Sequence, residues 1–221
     1  MNVLVIGNNA QKEECQLKFK EQTVLLATHY QEAKEMLKQS DVVFDFAIAK
    51  NPEQIQLYSE FPKVVAFLNT TTKSLADLCK GNQRGTFVGF CGLPTFLNRP
   101  LLEVSVQKKE NEEILRSTCQ KLGTEFIVVD DRVGFVTPRV IAMIINEAYF
   151  TVEEGTASRA DIDLAMKLGT NYPYGPFEWC SKIGIVEVHE LLEALYKDTK
   201  DERYKICFLL NKEYLDSQPS K

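Results

Sequence analysis

The chain has 221 residues, 44% hydrophobic and 26% charged, which is enough apolar material for one large domain or two small ones. A formal net charge of −5 argues against a nucleic-acid binder, which presents a basic face. The six cysteines (Cys15, Cys79, Cys91, Cys119, Cys180 and Cys207) form no CxxC pair and have no nearby histidine, which excludes the close-spaced ligand pairs of a zinc site.

In chain order, Met1-Asn2-Val3-Leu4-Val5-Ile6 opens directly on a strand-like run. It has no basic n-region and no long apolar h-region, so it does not read as a signal peptide. No apolar stretch reaches the length of a membrane span, and a cytoplasmic protein with reduced thiols is expected. Asn2–Ile6 then ends at Gly7. Gln11–Lys20 and Gln31–Lys38 are polar, helix-compatible stretches on either side of an apolar run at Thr23–Ala27. Val42–Ile48 reads as a third strand, and Pro52–Phe61 as a helix with proline in its first turn. Lys63–Leu68, Thr86–Phe90 and Leu101–Val106 read as strands, with a short helix at Thr72–Cys79. Glu110–Leu122 reads as a helix and Glu125–Val129 as a last strand. Near-continuous apolar runs alternating with helices predict an open, mostly parallel α/β sheet covered on both faces.

The pattern changes after Asp130-Asp131. Ile141, Ile144, Ile145, Ala148 and Val152 fall at helical spacing. Ser158 with Asp161 three residues on reads as a helix start, and Gly169 as that helix's end. Pro173, Gly175 and Pro176 read as a stiff turn between helices. Val186–Tyr196 and Ile206–Tyr214 read as further helices, followed by a polar, fraying tail from Asp216 to Lys221. The expected organisation is residues 1–131 as an α/β domain and 132–221 as an all-helical domain, with no internal repeat.

Several ordered motifs lie in the second half. Gly134-Phe135-Val136-Thr137-Pro138-Arg139 precedes Asn146-Glu147-Ala148 and Glu154-Gly155. Asp161-Ile162-Asp163-Leu164-Ala165-Met166-Lys167-Leu168-Gly169 and Asn171-Tyr172-Pro173-Tyr174-Gly175-Pro176-Phe177-Glu178-Trp179 follow. This series resembles the C-terminal helical domain of the 3-hydroxyacyl-CoA dehydrogenases. The first half aligns more weakly, chiefly through Gly89-Phe90-Cys91-Gly92 and Leu101-Leu102-Glu103-Val104. The resemblance implies a shortened Rossmann-like domain before the helical one, NAD as cofactor, an acyl-CoA of fatty-acid metabolism as substrate, and a homodimer formed through the helical domain.

It also implies site residues. Glu103 matches the family's glutamate, and Cys91, twelve residues earlier, stands where the family has its catalytic histidine. Thr71, in Asn69-Thr70-Thr71-Thr72, matches a substrate-binding serine, and Pro138 replaces the family's asparagine. Imidazole suits proton transfer because its pKa lies near working pH; a thiol beside a carboxylate is pushed away from that range. His29 and His189 lie at no matching position. In the loop Gly7-Asn8-Asn9-Ala10-Gln11-Lys12 only the first glycine of G-x-G-x-x-G remains. Gly7 and Asn9 are its cofactor-binding candidates, Asn9 through a left-handed turn, and Lys12 offers a positive charge. The second strand ends Leu26-Ala27-Thr28-His29 without the acid expected for a ribose. The α/β half is several dozen residues short of the family's, the missing part being a helical insertion between early strands.

Three readings follow. In the first, the chain is a family protein with impaired or lost NAD-dependent hydride transfer, acting as a non-catalytic acyl-CoA-binding or partner subunit. In the second, it is an active dehydrogenase with an altered site. In the third, thiol chemistry is built on Cys91, against the plainer role of a small packed residue after a strand.

Overall fold

The computed structural model describes residues 1–80 and 84–218 and divides into two compact units, Met1–Phe135 and Val136–Lys221. The last residues of the polar tail expected at Asp216–Lys221 lie outside the described residues.

The first unit runs β1 (Asn2–Ile6), α1 (Asn9–Lys18), β2 (Thr23–Ala27), α2 (Tyr30–Leu37), β3 (Val42–Asp45), a 3-10 segment (Pro52–Glu60), β4 (Val65–Asn69), α3 (Leu75–Leu78), β5 (Thr86–Phe90), β6 (Leu101–Val106), α4 (Asn111–Leu122) and β7 (Glu125–Val128). The strands form one seven-stranded sheet in the order β2-β1-β3-β4-β5-β6-β7. Every neighbouring pair is parallel except β5 with β6.

Strand side chains alternate between the two faces. Val3 and Val5 pack on one face with Cys15 and Phe19 around α1 and Leu115, Cys119 and Leu122 of α4. Leu4 and Ile6 pack on the other with Ala33 and Leu37 of α2, Ile55 and Tyr58. Both faces are covered over the central strands, so these read as solid apolar runs, while β7 at the edge stays largely exposed. The chain leaves β1 for β2 on one side and returns by α2 to β3 on the other, so strand order reverses between β1 and β3. One eight-residue helix makes that return, which leaves no room for a helical insertion between β2 and β3.

Two expected elements are shorter than read. β3 stops at Asp45 rather than Ile48, because the Asp45 carboxylate accepts the Ala47 N–H at 2.9 Å and turns the chain. α3 starts at Leu75 rather than Thr72, with Ser74 as its N-cap and the Asp131 carboxylate accepting the Leu75 and Ala76 N–H groups at 2.7 Å each.

The second unit is helical: α5 (Thr137–Glu153), α6 (Arg159–Thr170), α7 (Pro176–Ile183), α8 (Ile185–Thr199), a 3-10 turn (Glu202–Tyr204) and α9 (Phe208–Ser217). Ser158 caps α6 as expected. Gly169 does not end it: the helix runs to Thr170, and Asn171 takes the left-handed conformation at φ 57°. The stretch read as a turn also launches a helix, with Pro176 in the first turn of α7. The Asp163 carboxylate of α6 accepts the Phe177 N–H at 2.8 Å, a cap that lies too far away in sequence to be read locally.

Among the described residues no helix is long and apolar enough to cross a membrane, and no group of three or more His, Cys, Asp or Glu is placed to hold a metal. All six cysteines are free and buried.

Candidate functional site

Ligands of open α/β sheets bind outside the carboxyl ends of the strands, where strand order reverses. In the first unit this edge is formed by Gly7 after β1, Asp45 of β3, Asn69 of β4, Cys91 after β5 and the start of β6. The antiparallel register pairs Phe90 with Val104, so one step further sets Cys91 opposite Glu103. The two positions that resemble the family's histidine and glutamate are therefore cross-strand neighbours.

Thr71 joins them. Its hydroxyl donates to Asn69 Oδ1 at 2.6 Å and accepts the Gly92 N–H at 3.0 Å. Asn69 Oδ1 also accepts the Thr71 and Gly92 N–H groups at 3.2 and 3.1 Å, while Asn69 Nδ2 donates to the Phe46 carbonyl at 3.3 Å. A Cβ on Gly92 would stand 2.5 Å from Asn69 Cγ, so only glycine allows this approach. Thr71 is buried and its hydroxyl is already engaged in both directions, which leaves it poorly placed to receive a substrate oxygen.

The loop from Cys91 to Pro100 is anchored on α1. The Glu14 carboxylate accepts the N–H groups of Thr95, Leu97 and Asn98 at 3.3, 3.0 and 3.1 Å. Thr95 takes φ 73°, an uncommon conformation for a β-branched residue. Its carbonyl accepts from Arg99 Nε at 3.2 Å, and the Arg99 guanidinium lies 3.7 Å above the centre of the Phe96 ring. Glu14 and Arg99 were not singled out from sequence, because their partners are backbone groups of a loop with no periodic pattern.

Cys91 lacks the chemistry that the resemblance implies for its position. Burial pushes its thiol up to about 12 and the Glu103 carboxylate adds to this, against the Leu93 backbone, the neighbouring Thr71 side chain and the charge of Arg99. Such a thiol stays protonated at neutral pH and cannot accept a hydroxyl proton. His29 does not join the cluster. His29 is the N-cap residue of α2, with Nδ1 2.7 Å from Thr28 Oγ1. His189, in the second unit, stacks on Tyr214 at 3.8 Å and bonds Asn211 Oδ1 through Nε2 at 2.9 Å. Pro138 is buried in the first turn of α5.

The nucleotide loop is closed on itself. Asn8, not Asn9, is the N-cap of α1, and it is extended at φ −116°. Asn9 is the first helical residue and is not left-handed, which corrects the turn expected there; the Asn8 side chain makes the cap instead. Asn8 Oδ1 accepts the Gln11 N–H at 3.0 Å, and Gln11 Oε1 accepts the Asn8 N–H at 2.9 Å. This reciprocal capping box occupies donors that a pyrophosphate would need. Gln11 Oε1 lies 2.1 Å from where a Gly7 Cβ would be, so the glutamine side chain sits on the glycine that should admit the phosphate. At the end of β2, Glu32 accepts the Thr28 N–H at 3.0 Å. These residues do not fit NAD.

Residues 134–219 match the family model described as "3-hydroxyacyl-CoA dehydrogenase, C-terminal domain". The chain is 43% identical over 96 residues to 3-hydroxyadipyl-CoA dehydrogenase of Escherichia coli, covering 43% of this chain and 20% of that protein. It is 28% identical over 189 residues to 3-hydroxybutyryl-CoA dehydrogenase of Bradyrhizobium diazoefficiens, covering 80% of this chain and 63% of that one. The chain thus spans less than two thirds of the length of either relative. The crystal structure of (S)-3-hydroxybutyryl-CoA dehydrogenase from Ralstonia eutropha shares the fold at a TM-score of 0.74 and 20% identity, over 97% of this chain and 93% of that one. The helical half therefore carries the match to the 3-hydroxyacyl-CoA dehydrogenase C-terminal domain, and the rest of the chain is similar to relatives named for that activity at lower identity.

Proposed function

We propose that the chain is a 3-hydroxyacyl-CoA dehydrogenase-type protein of fatty-acid metabolism that has lost NAD-dependent hydride transfer and acts as a non-catalytic acyl-CoA-binding or partner subunit. The observation that carries this reading is the Asn8–Gln11 capping box, which turns the phosphate-binding end of α1 into a self-satisfied helix terminus. Cys91 supports it, since a buried protonated thiol replaces the proton acceptor. On this reading Glu103, Cys91 and Thr71 keep the shape of the family's site without its chemistry, and Gly7 serves the capping box rather than a cofactor. The burial of Cys91 also favours the packing role over thiol chemistry. The reading includes a cytoplasmic homodimer formed through the helical domain. Leu164 and Leu168 of α6 and Phe208 and Leu215 of α9, all exposed, are the apolar surface on which it rests.

The alternative of an active dehydrogenase rests on Glu103 standing opposite Cys91. An assay of NADH-dependent acetoacetyl-CoA reduction separates the two. The wild-type chain is expected to show no turnover, and Cys91→His alone is expected to restore none, because the loop still rejects the pyrophosphate. Turnover by Cys91→His would show that the loop is not the obstacle, and turnover by the wild type would establish the alternative.

A further inference from the structure

A buried carboxylate sits beside the nucleotide loop and has no part in the cluster around Cys91. Asp45, the last residue of β3, is fully buried. Ile6 of β1 is level with Asp45 on one side and with Ala27 of β2 on the other. Tyr30, three residues beyond Ala27, donates its hydroxyl to both Asp45 oxygens at 3.1 and 3.0 Å. β2 and β3 flank β1, so they lie two strand spacings apart, roughly 9–10 Å. The Tyr30 side chain therefore bridges them at the carboxyl end of β1, on the α2 side. Tyr58, from the Pro52–Glu60 segment, fixes the far end with a 2.7 Å hydrogen bond to Asp45. The backbone at this edge is also laced together: Gly7 N–H donates to the Ala27 carbonyl and Phe46 N–H to the Ile6 carbonyl, each at 3.0 Å.

We propose that Tyr30 and Asp45 form an internal bar across the crevice at the reversal of strand order, and that with Gln11 it holds the first unit in a self-liganded form closed to adenine nucleotides. The inference rests on the reading of a lost NAD site and adds what fills it. An open α/β sheet takes its ligand at this reversal; here a phenol, a carboxylate and a carboxamide of the chain take up the donors and the space. The bar also bears on the buried charge, since an unpaired carboxylate there would be costly and the two phenols satisfy it together with the Ala47 N–H.

The test is calorimetric titration with ADP, which carries the adenosine and pyrophosphate without the nicotinamide. The wild-type chain is expected to give no saturable heat at millimolar ADP. The Gln11→Gly/Tyr30→Ala double variant is expected to bind at least tenfold more tightly, and Gln11→Gly/Tyr30→Phe, which keeps the ring, is expected to stay closed. A folded double variant with no gain overturns the bar and leaves the proposed function standing. Failure of that function shows separately, as NADH binding with turnover by the wild type. If the double variant does not fold, fluorotyrosine at position 30 of the otherwise unaltered chain decides by fluorine NMR. An unchanged Tyr30 resonance at millimolar ADP supports the closed crevice, and a saturable shift overturns it.

Discussion

Between pH 4 and pH 7 the stability of the wild-type chain is expected to fall relative to Asp45→Asn by about 2 kcal/mol. Burial pushes the Asp45 carboxyl up to about 6, against the hydrogen bonds from Tyr58, Tyr30 and the backbone that hold it down. In the unfolded chain the group titrates near ~3.9. Between these values the folded state binds more protons than the unfolded state, so stability drops as pH rises. The contribution is present in full below the unfolded pKa and is lost by the time pH passes the folded one. Its groups are few: Tyr30 and Tyr58 are both pushed further up by burial and by Asp45 itself, so neither titrates in this window. Asparagine keeps an acceptor for the phenols and carries no titrating proton. Chemical denaturation of both proteins across this range is the measurement. Curves that stay parallel would show that Asp45 titrates normally and that the cluster is not buried in solution.

Phe44→Ala is expected to cost about 3–5 kcal/mol, a large fraction of the ~5–15 kcal/mol available to a domain. Phe44 is fully buried in β3. Its ring centre lies 5.2 Å from Phe19, 4.6 Å from Phe67 and 5.3 Å from Phe90. These rings come from the loop after α1 and from β4 and β5, so one truncation opens a cavity shared by four segments. Urea unfolding should show a much lower midpoint with little change in slope. A loss below about 1 kcal/mol would mean that the cluster collapses onto the gap, against the close packing seen here.

The α/β half was legible where one physical signal dominated. β1, β2, β5 and β6 fall where their apolar runs lie, because a strand covered on both faces must be apolar throughout. The errors have identifiable causes. Asp45 ended β3 early with its own carboxylate, and α7 was launched from Asp163 of another helix. Asn171 rather than Gly169 took the left-handed turn, since asparagine tolerates that conformation too.

The candidate site came from the resemblance, which picked out Cys91, Glu103 and Thr71; the structure brings these positions to one edge. Its closure was not legible. Asn8 and Gln11 form an N-cap pair at ordinary spacing, but that Gln11 lies over Gly7 is a matter of side-chain direction. The Tyr30–Asp45 contact joins residues on opposite sides of β1, and only the strand order reveals it.

The most direct test of the central claim is calorimetric titration of the wild-type chain with NADH, with acetoacetyl-CoA titrated in parallel. The account predicts no NADH binding at millimolar concentration and a measurable heat with the acyl-CoA. Micromolar NADH binding would contradict it, because the pyrophosphate would then have displaced Gln11 from Gly7.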